Sequence, residues 1–94
     1  MSKPQTVSEV LYAAADYIET HGWVRLRQHG PNGERCAWGA IVTSAPRQRG
    51  LQHQAERAAS AVVPPRDLIY YNDQRGRTAE QVVRMLRRAA KRAS

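Results

Sequence analysis

Cysteine and histidine are the residues of this sequence with the most versatile chemistry: Cys36, His21, His29 and His53. One thiolate with three imidazoles could bind zinc, but their spacing matches no known zinc pattern. A catalytic cysteine needs a neighbouring base and a group that orients the base. Cys36 lies instead in an apolar run, where a thiol behaves as a small hydrophobic side chain. We therefore predict no metal site, no catalytic cysteine and no cofactor.

Carboxylates and glycine-rich loops give equally little support to catalysis. The candidates for a pair of acid–base carboxylates are Asp16, Glu19 and Asp73. Asp16 and Glu19 are three residues apart, a spacing typical of the solvated face of a helix. Gly30 and Gly33 flank a turn, and the spacings of phosphate-binding loops are absent. The sequence therefore predicts that the protein is not an enzyme.

Basic residues are concentrated at the end of the chain. Residues 1–73 carry eight Lys or Arg against seven Asp or Glu, whereas residues 74–94 carry seven against Glu80 alone. These seven are Arg75, Arg77, Arg84, Arg87, Arg88, Lys91 and Arg92. On one helix they would form a positive surface that attracts an acidic protein surface or, without sequence preference, nucleic acid. The alternative is that they form only the solvated face of that helix.

A second candidate surface is a pocket formed by Trp23, Asn72 and Asp73. Asn and Asp side chains often hydrogen-bond the backbone two residues further on and so hold a turn. The structural interpretation is that Asn72 and Asp73 shape a loop, while Trp23 fills the core. The functional interpretation is that the three residues form a recognition pocket.

Two capping boxes predict the helices at the two ends of the chain. Thr6 begins a helix at about residues 7–20, which Gly22 ends. Thr78 begins a basic amphipathic helix over residues 78–92. One stripe of this second helix is Val, Leu and Ala, and the opposite stripe is basic. We expect the apolar stripe to enter the core.

The middle of the chain is less regular. Alternating apolar and polar residues predict a strand at 23–28, which could pair with 34–37 as a β-hairpin across a Pro-Asn-Gly turn. Residues 36–44 fit either a buried strand or a short helix, and their small side chains favour the helix. A third helix follows over residues 51–62 and ends before two prolines. Residues 67–71 fit an extended segment or a single helical turn.

These elements predict a mainly α protein: one domain of three to four helices with a minor β-hairpin, over residues 1–94. We expect residues 1–5 to be flexible. No apolar run approaches the ~20 residues of a membrane span, so we expect no membrane contact. The lack of an apolar leader and the single cysteine lead us to expect a cytoplasmic protein.

The order of several short motifs resembles a known family. The motifs are Gly22-Trp23, Cys36 before Gly39-Ala40, Tyr71-Asn72-Asp73, and residues 76–82 opening the final helix. Over most of residues 8–90 the chain resembles a family of small uncharacterised proteins of actinobacteria and their phages, a domain of unknown function. Family members usually have Trp where this chain has Tyr71. The resemblance implies an actinobacterial or phage origin, and it brings no known activity, cofactor or catalytic residue.

Taken together, these features predict a small non-enzymatic regulatory or accessory binding protein, phage-encoded if the resemblance holds. Its basic C-terminal helix would engage an acidic protein surface or nucleic acid. That acidic protein surface could be the Asp16 and Glu19 face of a second copy. The alternative is a structural or oligomerisation module whose basic face is only solvated.

Overall fold

Helices form the framework of the protein. In the computed structural model, which describes residues 3–94, five helices follow one another: α1 Val7–His21, α2 Ala37–Ser44, α3 Arg49–Ala61, α4 Leu68–Asp73 and α5 Ala79–Ala93. The prediction of a mainly α fold is confirmed. The helix count differs from the expected three to four, because residues 68–73 form a complete short helix and residues 37–44 are helical.

Both predicted capping boxes are present. In α1 the Glu9 amide donates to Thr6 Oγ1 over 3.1 Å, and the Thr6 amide donates to Glu9 Oε1 over 3.1 Å. In α5 Thr78 and Gln81 exchange the corresponding bonds over 3.2 and 3.1 Å. Each box satisfies two of the backbone donors that a helix start leaves free, which explains why the sequence located these two helices well.

The two long helices form the centre of the core. Helix α1 packs most extensively on α5 and also contacts α2 and α3. Ser8 Oγ donates to the Ala90 carbonyl over 2.8 Å, while Gly22 and Ala79 line one groove at the other end, so α1 and α5 run antiparallel. The fully buried side chains at the centre include Leu11 and many alanines, whose small size lets helices approach closely.

The predicted β-hairpin is wrong. Residues 22–36 form a loop in which the described backbone has only two isolated bridges, from Arg35 to Trp23 and to His29. A strand over 23–28 is interrupted at Leu26, whose φ of 71° turns the backbone into the left-handed region. Side chains of α4, described below, bind backbone groups of this loop at Val24 and Leu26.

The structure also gives the bounds of α2 and α3, which the sequence left open or placed differently. Residues 36–44, open between strand and helix, form helix α2 with Cys36 as its N-cap. Helix α3 begins at Arg49, two residues before the predicted start, and ends ahead of the two prolines. Within residues 3–94, none of the helices has the length and apolar character needed to cross a membrane.

Candidate functional site

The polar centre of the molecule is the side chain of Asn72 on α4, which is 1% exposed. Its Oδ1 accepts from Trp23 Nε1 over 2.7 Å and from the Ala37 amide over 2.9 Å. Its Nδ2 donates to the Val24 carbonyl over 3.3 Å and to Asp73 Oδ1 over 2.9 Å. The structure therefore brings Trp23, Asn72 and Asp73 together, and Asn72 ties the 22–36 loop to α2 and α4.

Asp73 holds the neighbouring part of this loop. The amide of Leu26 donates to Asp73 Oδ1 over 2.8 Å, and Arg25 Nη1 donates to the Gln74 carbonyl over 3.3 Å. A left-handed backbone costs a residue with a Cβ about 1–2 kcal/mol. The Leu26 side chain is nonetheless 69% exposed, so the strained backbone directs a large apolar group outward.

Arg77, one of the seven predicted basic residues, belongs to the framework. Its guanidinium lies 3.6 Å from the centre of the Tyr71 ring, and its Nε donates to the Tyr71 carbonyl over 2.9 Å. Its terminal nitrogens donate to Gln74 and Gln81. Such a cation–π contact combined with hydrogen bonds fixes the turn between α4 and α5, so little of Arg77 is left for a partner.

Arg87 is also occupied within the chain. Its Nη2 lies 3.1 Å from Asp16 Oδ1 and 2.5 Å from Glu19 Oε1, both on α1. Hydrogen bonds to Glu19 and then to Asp16 raise the pKa of Arg87. The acidic face that we considered for a second copy is therefore bound by the protein's own α5.

The other cations of α5 point outward. Arg84 pairs with Glu80 over 3.1 Å, an exposed i, i+4 pair of the kind that contributes little. Arg88 Nη2 donates to the Val62 carbonyl over 3.2 Å. Within residues 3–94, the side chains of Lys91 and Arg92 have no hydrogen-bond or ion-pair partner. We call the four exposed cations Arg84, Arg88, Lys91 and Arg92 the α5 face.

Histidine and cysteine do not converge on a common point. In the part of the chain that the structure describes, no three His, Cys, Asp or Glu side chains are close enough together to hold a metal ion. His21 stacks on the Tyr17 ring at 4.1 Å, and His53 lies against Trp38 at 6.1 Å. These contacts give two of the histidines packing roles.

Comparison with known protein families identifies the family of this chain. A family model described as a family of unknown function, DUF6197, matches residues 2–92. The chain belongs to this family. The match confirms the resemblance seen in the motifs, while the actinobacterial or phage origin stays a prediction. No curated protein and no solved structure matches the chain.

The DUF6197 chain has a second exposed feature around α4, which we call the α4 surface and which consists of Leu26, Ile69 and Tyr70. Ile69 and Tyr70 are 53% and 55% exposed. Leu26 and Ile69 line a cavity of about 180 Å³ whose other walls include Cys36 and Trp38. Ile69 and Tyr70 line an adjoining open groove of about 730 Å³. The two depressions share Ile69, so the α4 surface is continuous.

Cys36 serves this DUF6197 chain as the N-cap of α2. Its Sγ accepts from the Gly39 amide over 3.3 Å, and the residue is 8% exposed. Burial raises the pKa of the thiol, and this effect outweighs the opposing hydrogen bonds from Gly39 and Trp38. A raised pKa keeps the neutral thiol in place at pH 7, so its environment is that of an inert structural cysteine.

We expect native Cys36 to react with an aromatic disulfide reagent several-fold more slowly at neutral pH than it does in urea-unfolded protein. Because the folded state favours the neutral thiol, the native reaction should also need a higher pH to accelerate. Stopped-flow absorbance over a pH series measures both effects. A native thiol that reacts as fast as the unfolded one would return Cys36 to the candidates for catalysis.

The three side chains of the α4 surface were not identified from the sequence. The alternating pattern at 23–28 predicted a strand that includes Leu26, and it gave no sign that this side chain is exposed. Ile69 and Tyr70 lie in an apolar run that is typical of a buried segment. Only the turn residues Asn72 and Asp73 gave a signal in this region, and they lie beneath the surface that the sequence did not reveal.

Proposed function

We propose that this DUF6197 protein is a small non-enzymatic regulatory or accessory binding protein, which engages an acidic protein surface or nucleic acid through the α5 face. The observation that carries the proposal is the continued exposure of Arg84, Arg88, Lys91 and Arg92, even though Arg87 beside them is neutralised within the fold. Cytoplasmic location and actinobacterial or phage origin are parts of the same proposal.

The physical basis is the retention of like charges on one helix. Arg84, Arg88 and Lys91 follow one another at spacings of four and three residues, where like charges repel and lower helix stability slightly. Only one of these three, Arg84, has a carboxylate within ion-pair distance in residues 3–94. An acidic partner would relieve the repulsion and release its own counterions, which makes such binding strong at low salt.

One candidate for the acidic protein surface is the Asp16 and Glu19 face of a second copy of the chain. In the structure Arg87 of the same chain binds both of these carboxylates. A second copy would have to displace an existing ion pair before it could use that acidic face.

We expect the double variant Arg88→Gln, Lys91→Gln to weaken binding to two fluorescent probes, a DNA duplex and poly-glutamate, in anisotropy titrations at about 50 to 200 mM salt. For the duplex, the slope of log affinity against log salt should fall by about 2, since two phosphate contacts are removed. Gln removes the charge and has a helix propensity close to that of Arg and Lys.

The matched control is Arg47→Gln, Arg49→Gln, which removes the same net charge from two exposed positions, one just before α3 and one at its first residue. If the α5 face is the site, this control binds like the wild type. If both double variants weaken probe binding equally, the effect depends only on the net charge of the protein. Failure of both probes to bind wild-type protein at low salt would overturn the proposal, and binding of poly-glutamate alone would identify the partner as protein.

A further inference from the structure

We infer that Asp16 and Glu19 on α1 act as an internal anionic ligand, which occupies Arg87 and so withholds it from an acidic protein partner of the α5 face. The inference rests on the proposed function and concerns the regulation of the same site. Three features of the structure carry it: the geometry of the Arg87 contact, its position beside the exposed cations, and its exposure to solvent.

The Arg87 contact has the geometry with which a guanidinium binds an acidic partner. Its Nη1 and Nη2 donate to the two carboxylate oxygens of Glu19 over 3.3 and 2.5 Å, and Nη2 also donates to Asp16 Oδ1 over 3.1 Å. Arginine commonly recognises a carboxylate through two parallel bonds of this kind. A pair of carboxylates one helical turn apart therefore fits this part of the surface, which favours an acidic protein segment as the partner.

Arg87 lies in the middle of the cations that the proposed function uses. It is three residues after Arg84 and four before Lys91, so it shares a side of α5 with both of them. A partner that contacts Arg84 and Lys91 together would pass close to Arg87. There it meets one guanidinium bound to two carboxylates, which leave a net negative charge in place of a free cation.

The contact lies at the surface, where the carboxylates of a partner can compete for the same guanidinium. The side chains of Arg87, Asp16 and Glu19 are between 41% and 70% exposed. Exposed ion pairs contribute little to stability, whereas α1 and α5 both add buried apolar side chains, Leu11 and Leu86 among them, to one core. The two carboxylates are therefore not needed to hold the helices together, and their main effect is on what Arg87 can bind.

Two effects of the carboxylates on a partner can be separated by mutation. Their charge repels an acidic partner whether or not Arg87 is present, whereas their bond to Arg87 matters only when there is an arginine to release. The double substitution Asp16→Asn, Glu19→Gln removes the charge and weakens the hold on the guanidinium while it keeps the size of both side chains. The same substitution in a chain that also carries Arg87→Gln removes only the charge.

The test is a cycle of four proteins: wild type, Asp16→Asn/Glu19→Gln, Arg87→Gln and the triple variant. Each is titrated with fluorescent poly-glutamate at about 50 mM salt and followed by anisotropy. We expect loss of the two carboxylates to raise affinity in both backgrounds. With Arg87 present the gain should be larger by about two- to fivefold, the contribution of one exposed ion pair. An equal gain in the two backgrounds would overturn the inference, because only charge repulsion would then have been relieved. A larger gain seen with a DNA duplex and not with poly-glutamate would also overturn it.

Two comparisons separate this inference from folding and from the proposed function. Urea unfolding of Asp16→Asn/Glu19→Gln should give a midpoint close to that of wild type. A large fall in the midpoint with no gain in affinity would show that the contact only joins α1 to α5. If wild type binds poly-glutamate through Arg88 and Lys91 while the two backgrounds gain equally, this inference alone is wrong. If none of the four proteins binds poly-glutamate or the duplex, the proposed function is wrong as well.

Discussion

Replacement of Asn72 by Ala is expected to lower the free energy of unfolding by about 2–5 kcal/mol. The substitution leaves Trp23 Nε1 and the Ala37 amide without their acceptor, and each buried donor without a partner costs about 1–3 kcal/mol. The Val24 carbonyl also loses its donor. Small domains are stable by only about 5–15 kcal/mol, so this loss should move the urea midpoint far toward lower concentration.

The measurement is equilibrium urea unfolding followed by circular dichroism, with tryptophan fluorescence as a second probe because Trp23 loses a direct bond. The matched control is Asn32→Ala, an exposed asparagine in the 22–36 loop, which should change stability by less than about 0.5 kcal/mol. If Asn72→Ala unfolds at the same urea concentration as Asn32→Ala, Asn72 does not hold the loop to α2 and α4.

Replacement of Gly39 by Ala is expected to lower stability by about 1–3 kcal/mol, the cost of overpacking a close contact. A Cβ at this position of α2 would lie 2.4 Å from the Gln28 carbonyl oxygen and 3.2 Å from Arg35 Cδ. The same carbonyl accepts the Cys36 amide at the start of the helix. The loop must therefore move away from α2, which weakens the bond between the amide of the N-cap residue Cys36 and the Gln28 carbonyl.

Gly50→Ala is the control, and we expect it to change stability in the opposite direction. Gly50 lies in the first turn of α3, and a Cβ built there meets nothing within 4 Å. Ala should raise stability by about 0.4–1 kcal/mol, since it restricts the unfolded chain and favours helix. Thermal and urea unfolding of both variants measure the difference. If Gly39→Ala and Gly50→Ala change the free energy of unfolding in the same direction, the close approach of the 22–36 loop to α2 is contradicted.

The parts of the fold that sequence could predict depend on neighbours in the chain. The capping boxes at Thr6 and Thr78 join residues three apart, so their spacing is visible without a structure. The apolar stripes of α1 and α5 likewise follow from helical periodicity. The two long helices were therefore predicted within about a residue of their ends.

The loop over residues 22–36 could not be predicted for the opposite reason. Its conformation depends on Asn72 and Asp73, which are 47 to 49 residues further along the chain than the groups they bind. Alternation at 23–28 is a local signal for a strand, but the left-handed turn at Leu26 breaks it. Long-range hydrogen bonds outweighed the local preference, as is common for strands.

The same limit applies to the basic residues. Periodicity placed Arg84, Arg87 and Arg88 on a helix surface, but it could not show that Arg87 meets α1, 68 to 71 residues away. Nor could it show that Arg77 packs on Tyr71. The structure thus divides the seven predicted residues into cations that hold the fold and cations that stay exposed. The proposed interface comprises only the exposed group on α5.

The most direct test of the α5 face is the map of amide shifts when a DNA duplex, and separately poly-glutamate, is titrated into ¹⁵N-labelled protein at about 50 mM salt. We predict that at least one of the two probes shifts amides of α5 around Arg84, Arg88 and Lys91, and that raising the salt to about 200 mM reverses these shifts. The amides at the start of α3, around Arg49, should stay unchanged. Shifts spread over all cations alike, or none on α5 with either probe, would contradict the account.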